Sequence, residues 1–332
     1  MSAILDIRNL SIELETENGP VRVLDRFNLQ LAEGEIHTLV GESGSGKSLL
    51  AKAILGFINP RWKITADRLW WRHYDLLALN AAQRRIVTGR DMAMIFQDPS
   101  SYLDPNDKVG AQLRESIPTG ELSGVYLKRR VDRQTRAERL LHRVGIKDTA
   151  DVMERYPHEL SEGLAQKISI AMAIAHNPKL LIADEPTTAM EPSTRGQIYR
   201  LLAKLSAGQG MSILMITQDL TAVIPESQRI SLIYCGQLME TGPTEEVMQK
   251  PYHPYTDAML SMSLSDQDIA PKTRLPTLSG AIPTLQHMPI GCRLGPRCPY
   301  ARRACIHQPA LTKQQQVQFA CHYPLHKDSE HD

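Results

Sequence analysis

Gly41-Glu42-Ser43-Gly44-Ser45-Gly46-Lys47-Ser48 spells G-x-x-x-x-G-K-S, the spacing of a phosphate-binding loop. The apolar run Ile36-His37-Thr38-Leu39-Val40 ahead of it predicts a buried strand, and the Ala-rich apolar stretch at 49–55 predicts a helix. Strand, loop and helix in that order are the setting such a loop needs. Its glycines let the backbone curl until N–H groups converge on phosphate oxygens. The helix behind it turns the positive end of its dipole toward the same anion. On this reading Gly41, Ser43, Gly44, Ser45, Gly46, Lys47 and Ser48 cradle the phosphates of a nucleotide. Lys47 reaches the β- and γ-phosphates, and Ser48 ligates Mg²⁺. A Gly/Ser turn with a chance lysine does not fill all four specified positions between a strand and a helix.

Upstream, residues 4–14 alternate apolar and polar and predict a strand with one buried face. A turn at 17–20 leads to a second strand at 21–31, so an antiparallel β layer precedes the nucleotide core. Downstream, Met92-Ala93-Met94-Ile95-Phe96 predicts a strand that ends at Gln97-Asp98-Pro99. Residues 100–160 lose β character, and Leu140, Leu141 and Val144 fall at helical spacing. The basic cluster Lys128-Arg129-Arg130, Arg133, Arg136 and Arg139 reads as the solvated face of these helices, with acidic lipid headgroups as the alternative contact. A helix runs from Leu160-Ser161-Glu162-Gly163-Leu164 to about residue 175, where Asn177-Pro178 stops it. An apolar strand at 179–183 then ends in Asp184-Glu185. Such a pair can be a mere capping turn. Downstream of a phosphate loop it reads as the metal-and-water end of the site: Asp184 holds Mg²⁺, and Glu185 orients or activates the attacking water. Residues 193–205 predict an amphipathic helix, 211–217 a core strand followed by Gln218-Asp219, and 230–237 a strand and hairpin turn. Cys235 falls inside that last apolar run and reads as a buried, inert thiol.

Composition bounds the function. The chain has 332 residues, 42% hydrophobic and 23% charged, enough for one large domain and a smaller one. A net charge of +1, from 38 basic and 37 acidic residues, gives no basic surface for nucleic acid. No apolar run reaches membrane-spanning length, and Met1-Ser2-Ala3-Ile4-Leu5-Asp6 lacks the pattern of a signal peptide. The expectation is an intracellular protein that reaches a membrane through a partner.

The phosphate loop, Gln97, the 160–164 segment, Asp184-Glu185 and the strand before Gln218 form an ordered set. In that order they resemble the nucleotide-binding subunits of ABC transporters, over residues 4–260. Glu240-Thr241-Gly242, His253-Pro254-Tyr255-Thr256 and the tail resemble the oligopeptide/dipeptide importer branch. The resemblance implies an α/β P-loop NTPase fold of the ABC type: a RecA-like core, an antiparallel β subdomain, and a helical subdomain at about 98–175. Residues 1–260 would form the nucleotide-binding domain and 261–332 a Pro/Cys-rich extension. It implies ATP and Mg²⁺ as cofactors, with Mg²⁺ on Ser48, Gln97 and Asp184. Glu185, Gln97 and Gln218 would be catalytic, and Ser161 and Gly163 would face the nucleotide of a partner subunit. The implied partners are a second ABC ATPase, two membrane permeases and, indirectly, a periplasmic peptide-binding protein, on the cytoplasmic face of the inner membrane. The implied function is ATP hydrolysis that drives peptides, cationic antimicrobial peptides among them, through the permeases. The other class is a regulatory subunit that binds ATP and barely turns it over.

Three departures from the family pattern matter. The signature Leu-Ser-Gly-Gly-Gln reads Leu160-Ser161-Glu162-Gly163-Leu164 here. At ~5 Å and an effective dielectric of ~20, the carboxylate of Glu162 and a phosphate would repel by roughly 3 kcal/mol, unless the side chain turns to water. Gln218 stands where the family places a histidine; it donates only a neutral bond, so hydrolysis there is expected to be slow. Met190-Glu191 replaces Leu-Asp, and Leu14 is the nearest residue to the usual adenine-stacking aromatic. In a homodimer both sites would combine Glu162 with Gln218, whereas a non-identical partner separates the two defects.

Residues 261–332 change texture. Pro271, Pro276, Pro283, Pro289, Pro296, Pro299 and Pro309 recur, apolar periodicity fades, and little core of its own is expected. Cys292, Cys298, Cys305 and Cys321 are four of the five cysteines, spaced C-x5-C-x6-C-x15-C. A reducing compartment disfavours disulfides. A Cys₄ metal site would supply stabilisation, with unliganded thiols as the bland alternative and His322 as a surface histidine. Zinc sites usually show short C-x₂₋₄-C pairs, absent here; likeness to importer ATPases with an iron–sulfur tail favours a [4Fe–4S] cluster over Zn²⁺.

Overall fold

A computed structural model describes residues 3–17, 19–118, 126–188, 190–223, 225–268 and 278–326. Pro271 and Pro276 lie outside the described residues, as do the side chains of Lys128, Arg129 and Arg130. In chain order the elements are β1 (Ala3–Thr16), β2 (Gly19–Ala32), β3 (Ile36–Val40), α1 (Lys47–Leu55), β4 (Trp62–Thr65), β5 (Arg68–Trp71) and β6 (Tyr74–Asp75). Next come α2 (Ala81–Asp91), β7 (Met92–Ile95), α3 (Val109–Ser116), α4 (Tyr126–Arg143), α5 (Thr149–Glu154), α6 (Glu162–Ala173), β8 (Leu180–Asp184) and α7 (Pro192–Gln209). The rest are β9 (Ser212–Thr217), β10 (Arg229–Tyr234), β11 (Gln237–Pro243), α8 (Thr244–Gln249), α9 (Pro254–Asp268), β12 (Thr312–Gln314) and β13 (Val317–Phe319). The chain divides into two units, Met1–Ala81 with Ile216–Asp332, and Ala82–Met215.

The first unit holds two sheets. The predicted antiparallel layer is real and longer than read, because β1 and β2 pair along their length from Ala3↔Ala32 to Thr16↔Gly19. β5 and β4 pair with the other edge of β1, and Leu14 stands opposite Trp62. Ile4, Leu5, Ile7, Leu10 and Ile12 are buried, and register irregularities between Ile7 and Leu10 and between Leu10 and Ile12 move the buried set from odd to even positions along β1. The second sheet runs β12-β13-β11-β10-β3. β3 pairs parallel with β10 and is buried at all five positions, with the polar His37 and Thr38 bonded to Ser231 and Ser227.

Two readings gain detail here. Cys235 is buried, but it occupies the β10–β11 hairpin turn, with φ 46 before Gly236 at φ 79, and not the strand. The extension has little core of its own and joins one that begins elsewhere. β13 adds to β11 through Glu240↔Phe319, and Cys292, Leu294, Val317 and Phe319 are buried together with Tyr252, Tyr255 and Met259. Its apolar residues are few because they complete a core that α9 and β11 already begin; Phe319 stacks on Tyr252 at 4.9 Å.

In the second unit β7 pairs parallel with β8. β9 lies beside β8, and its last two residues are counted with the first unit. Among the described residues of 98–175 no strand occurs; α3 to α6 fill the segment, with Ala137, Leu140 and Leu141 buried along α4 and Val144 just past its end. α7 ends at Gly210, whose left-handed backbone lets its N–H cap Ser206 O. Among the described residues no helix is long and apolar enough to cross a membrane.

Candidate nucleotide site

The phosphate loop joins β3 to α1 as predicted, with α1 beginning at Lys47. Gly46 at its N-cap has φ 99, and an added Cβ would sit 2.8 Å from Leu24 Cδ2. A Cβ on Gly41 would meet Ile233 O at 2.2 Å, so both glycines are required by the backbone. No acidic residue lies in the first turn of α1 to offset its dipole. Lys47 is buried, and its Nζ donates to Gly41 O at 2.6 Å and Glu42 O at 3.0 Å. Ser43, Gly44 and Ser48 are exposed on the rim of the loop. Gly41 N donates to Thr217 O at 3.2 Å, which brings the residue before Gln218 to the start of the loop. Gln218 is itself exposed, followed by Asp219, whose carboxylate accepts from Thr221 N at 2.8 Å.

The second unit carries the remaining residues in two groups. Asp184 closes β8 and is buried. Glu185 turns the chain with φ 48, a region that costs a non-glycine residue about 1 kcal/mol or more and that clusters at working sites. Its carboxylate accepts from Gln97 Nε2 at 3.2 Å and from Thr188 Oγ1 at 2.9 Å. The structure therefore joins Gln97 to Glu185 across two strand ends, and adds Thr188, which sequence reasoning passed over. The second group is a groove lined by Ser161, Glu162, Gly163, Lys167, Met190 and Glu191. Glu162 is exposed in the first turn of α6. A Cβ on Gly163 would come 2.8 Å from Thr194 Cγ2, so the glycine sets the approach of α6 and α7. Met190-Glu191 thus faces the same groove as the altered signature.

Cys292, Cys298, Cys305 and Cys321 line one small cavity with His253, Leu294 and Tyr323. All are free thiols, and burial pushes Cys292 and Cys298 up and Cys321 up to about 11. Among the described residues no group of three or more His, Cys, Asp or Glu side chains is arranged to hold a metal ion. His322 is not on the outer surface alone; it reaches the cavity and bonds His307 O at 3.1 Å.

Sequence reasoning also missed Arg297, Tyr234 and Tyr255, which all reach Glu42 of the phosphate loop or its neighbours. The available signal was weak: an arginine beside a cysteine in a Pro-rich tail.

Comparison with known proteins bears on these groups together. Residues 24–188 match the family model described as ABC transporter, and residues 239–305 match the oligopeptide/dipeptide transporter C-terminal region. The chain is 49% identical to the peptide transport system ATP-binding protein SapD of Salmonella typhimurium, over 98% of this chain and 99% of that one. It is 42% identical to the dipeptide transport ATP-binding protein DppD of Haemophilus influenzae, over 98% and 97%. Among solved structures, the MJ0796 ATP-binding cassette bound to ADP and Pi aligns with a TM-score of 0.60 at 23% identity, covering 72% of this chain and 98% of that one. CbiO1 of Clostridium perfringens aligns at 0.62 and 22%, covering 75% and 94%.

Proposed function

This chain belongs to the ATP-binding subunits of ABC transporters, transport-coupled ATPases, and we propose that the transporter it serves is a peptide importer. The observation that carries the peptide reading is the matched C-terminal region at 239–305, behind an ABC module, in a chain alike end to end to peptide-transport relatives. The SapD relative is named for peptide transport; within that class, cationic peptides are the substrates we propose. Two permeases hold the subunit at the cytoplasmic face of the inner membrane, and a periplasmic binding protein delivers the peptide.

In this reading residues 261–332 extend a nucleotide-binding domain at 1–260. The backbone of Gly41–Gly46 and the N-terminus of α1 receive the phosphates. Lys47 exchanges its carbonyl partners for β- and γ-phosphate oxygens, and Ser48, Gln97 and Asp184 serve Mg²⁺. Glu185 aligns and deprotonates the attacking water, with Gln97 and Thr188 fixing its carboxylate. Gln218 supplies a neutral hydrogen bond to the γ-phosphate. Ser161 and Gly163 close on the nucleotide of a non-identical ATPase, which keeps the Glu162 and Gln218 defects on different sites. Glu185→Gln in the assembled complex should lower ATPase by about 100-fold or more. Unchanged ATPase and peptide uptake would favour the regulatory reading, to which the exposed Glu162 and Gln218 lend support.

For Cys292, Cys298, Cys305 and Cys321 we propose a shared [4Fe–4S] cluster, supported by four thiols around one cavity. Such a group would tie the extension to the core and hold its ligands as thiolates. Anaerobically purified protein should be brown, with iron and sulfide; a colourless, iron-free preparation would remove the cluster.

A further inference from the structure

Glu42 is the second residue of the phosphate loop, and each of its polar groups is held. Its carbonyl accepts from Lys47 Nζ at 3.0 Å. Its N–H donates to Tyr255 Oη, from α9, at 3.1 Å. Its carboxylate accepts two bonds from Arg297, Nη1 at 2.8 Å and Nη2 at 3.3 Å. Arg297 closes a short 3-10 turn, Gly295–Arg297, immediately before Cys298. It is buried, its Nε donates to Ser279 O at 3.1 Å, and Nη1 also donates to Tyr234 Oη at 3.1 Å. The guanidinium lies 5.7 Å from the Tyr234 ring centroid, and that ring contacts Tyr255 at 5.1 Å. Four residues earlier, Arg293 makes a parallel insertion: it bonds Cys235 O and lies 3.6 Å from Asp25. The segment between Cys292 and Cys298 is thus pinned to the nucleotide core by two buried arginines.

We propose that Arg297 is a positioning residue for the phosphate loop, through which the C-terminal extension sets how tightly this chain holds ATP. The physical reason is charge as well as shape. A carboxylate within the loop would oppose the phosphates it surrounds. A bidentate guanidinium neutralises that charge and fixes the side chain away from the cradle. It also anchors, through the side chain, the residue whose carbonyl Lys47 must leave when phosphate arrives. The inference rests on the ATP-binding reading of the loop.

The test is ATP affinity of the purified full chain, with ATPase of the assembled complex as a second readout. Arg297→Met should weaken ATP binding about tenfold, with the loss in KM and little in kcat. Adding Glu42→Gln to Arg297→Met should recover most of that affinity, because the unopposed charge is gone. Arg297→Lys keeps the charge without the fork and should fall about threefold, and it replaces Arg297→Met if that variant does not fold. A purely structural arginine would lower the melting temperature without any recovery by Glu42→Gln. Parent-level affinity in Arg297→Met, or no recovery in the double variant, overturns the proposal. If Lys47→Ala abolishes ATP binding at the same time, the reading of the loop survives that failure.

Discussion

Two glutamates in two glycine-containing turns meet opposite fates. Glu42 lies in the phosphate loop and is forked by Arg297, with its side chain 21% exposed. Glu162 lies in the altered signature turn, exposed at the start of α6. A carboxylate beside a phosphate site does no harm when a cation holds it. One left in water in the first turn of a helix is screened by solvent and stabilises its own helix. Glu240 shows a third fate. It is fully buried and accepts from Tyr252 N at 2.8 Å and His253 N at 3.0 Å, just ahead of α9, and from Thr256 Oγ1 in its first turn. Residue type alone says nothing of the charge that reaches a ligand; the partner and the solvent decide it.

The comparison breaks most sharply at Lys47. If the loop is the phosphate site, Lys47→Ala lowers ATP affinity about 100-fold, because a charged bond worth roughly 3 kcal/mol is lost. Equilibrium binding of ATP to the purified chain measures this, and parent-level affinity would end the nucleotide reading. Glu240 gives the next effect. Burial pushes its pKa from 4.5 to about 7 against the bonds it accepts. The native chain therefore holds this proton more tightly than an unfolded chain. Stability is fully present below pH 4.5 and falls as pH rises through about 7. His253 beside it is lowered to about 3 by burial and stays neutral throughout that window. Between pH 5 and 7.5 the loss amounts to about 2 kcal/mol, a few degrees in melting temperature. Glu240→Gln should flatten the profile between pH 5 and 7.5, and parallel profiles would show Glu240 to be ionised throughout. Smallest is Glu162→Gly, which should raise ATPase of the assembled complex about threefold, since water already screens most of the repulsion. No rise would mean that Glu162 turns wholly away from the partner's nucleotide.

What could be read before folding was local. The β3–loop–α1 unit and β8 ending in Asp184 declare themselves because apolar periodicity and motif spacing lie within a few residues of one another. The helical segment was legible for the same reason: Leu140 and Leu141 are buried on α4, and Val144 is buried just past its end. The Glu185–Gln97 bond was half legible. The motif order predicts that both matter, and only the pairing of β7 with β8 sets them 3.2 Å apart.

By itself the sequence determined the nucleotide chemistry, the ABC architecture and the departures at Glu162 and Gln218, because those are properties of residue type at fixed spacing. Only the tertiary structure decided that the tail completes the core through β13, that four cysteines share a cavity, and that Arg297 meets Glu42 across 255 residues of chain. Such contacts carry no periodicity. They exist because burial folds distant segments onto one another, and a buried charge must then find its counter-charge wherever the chain has brought one.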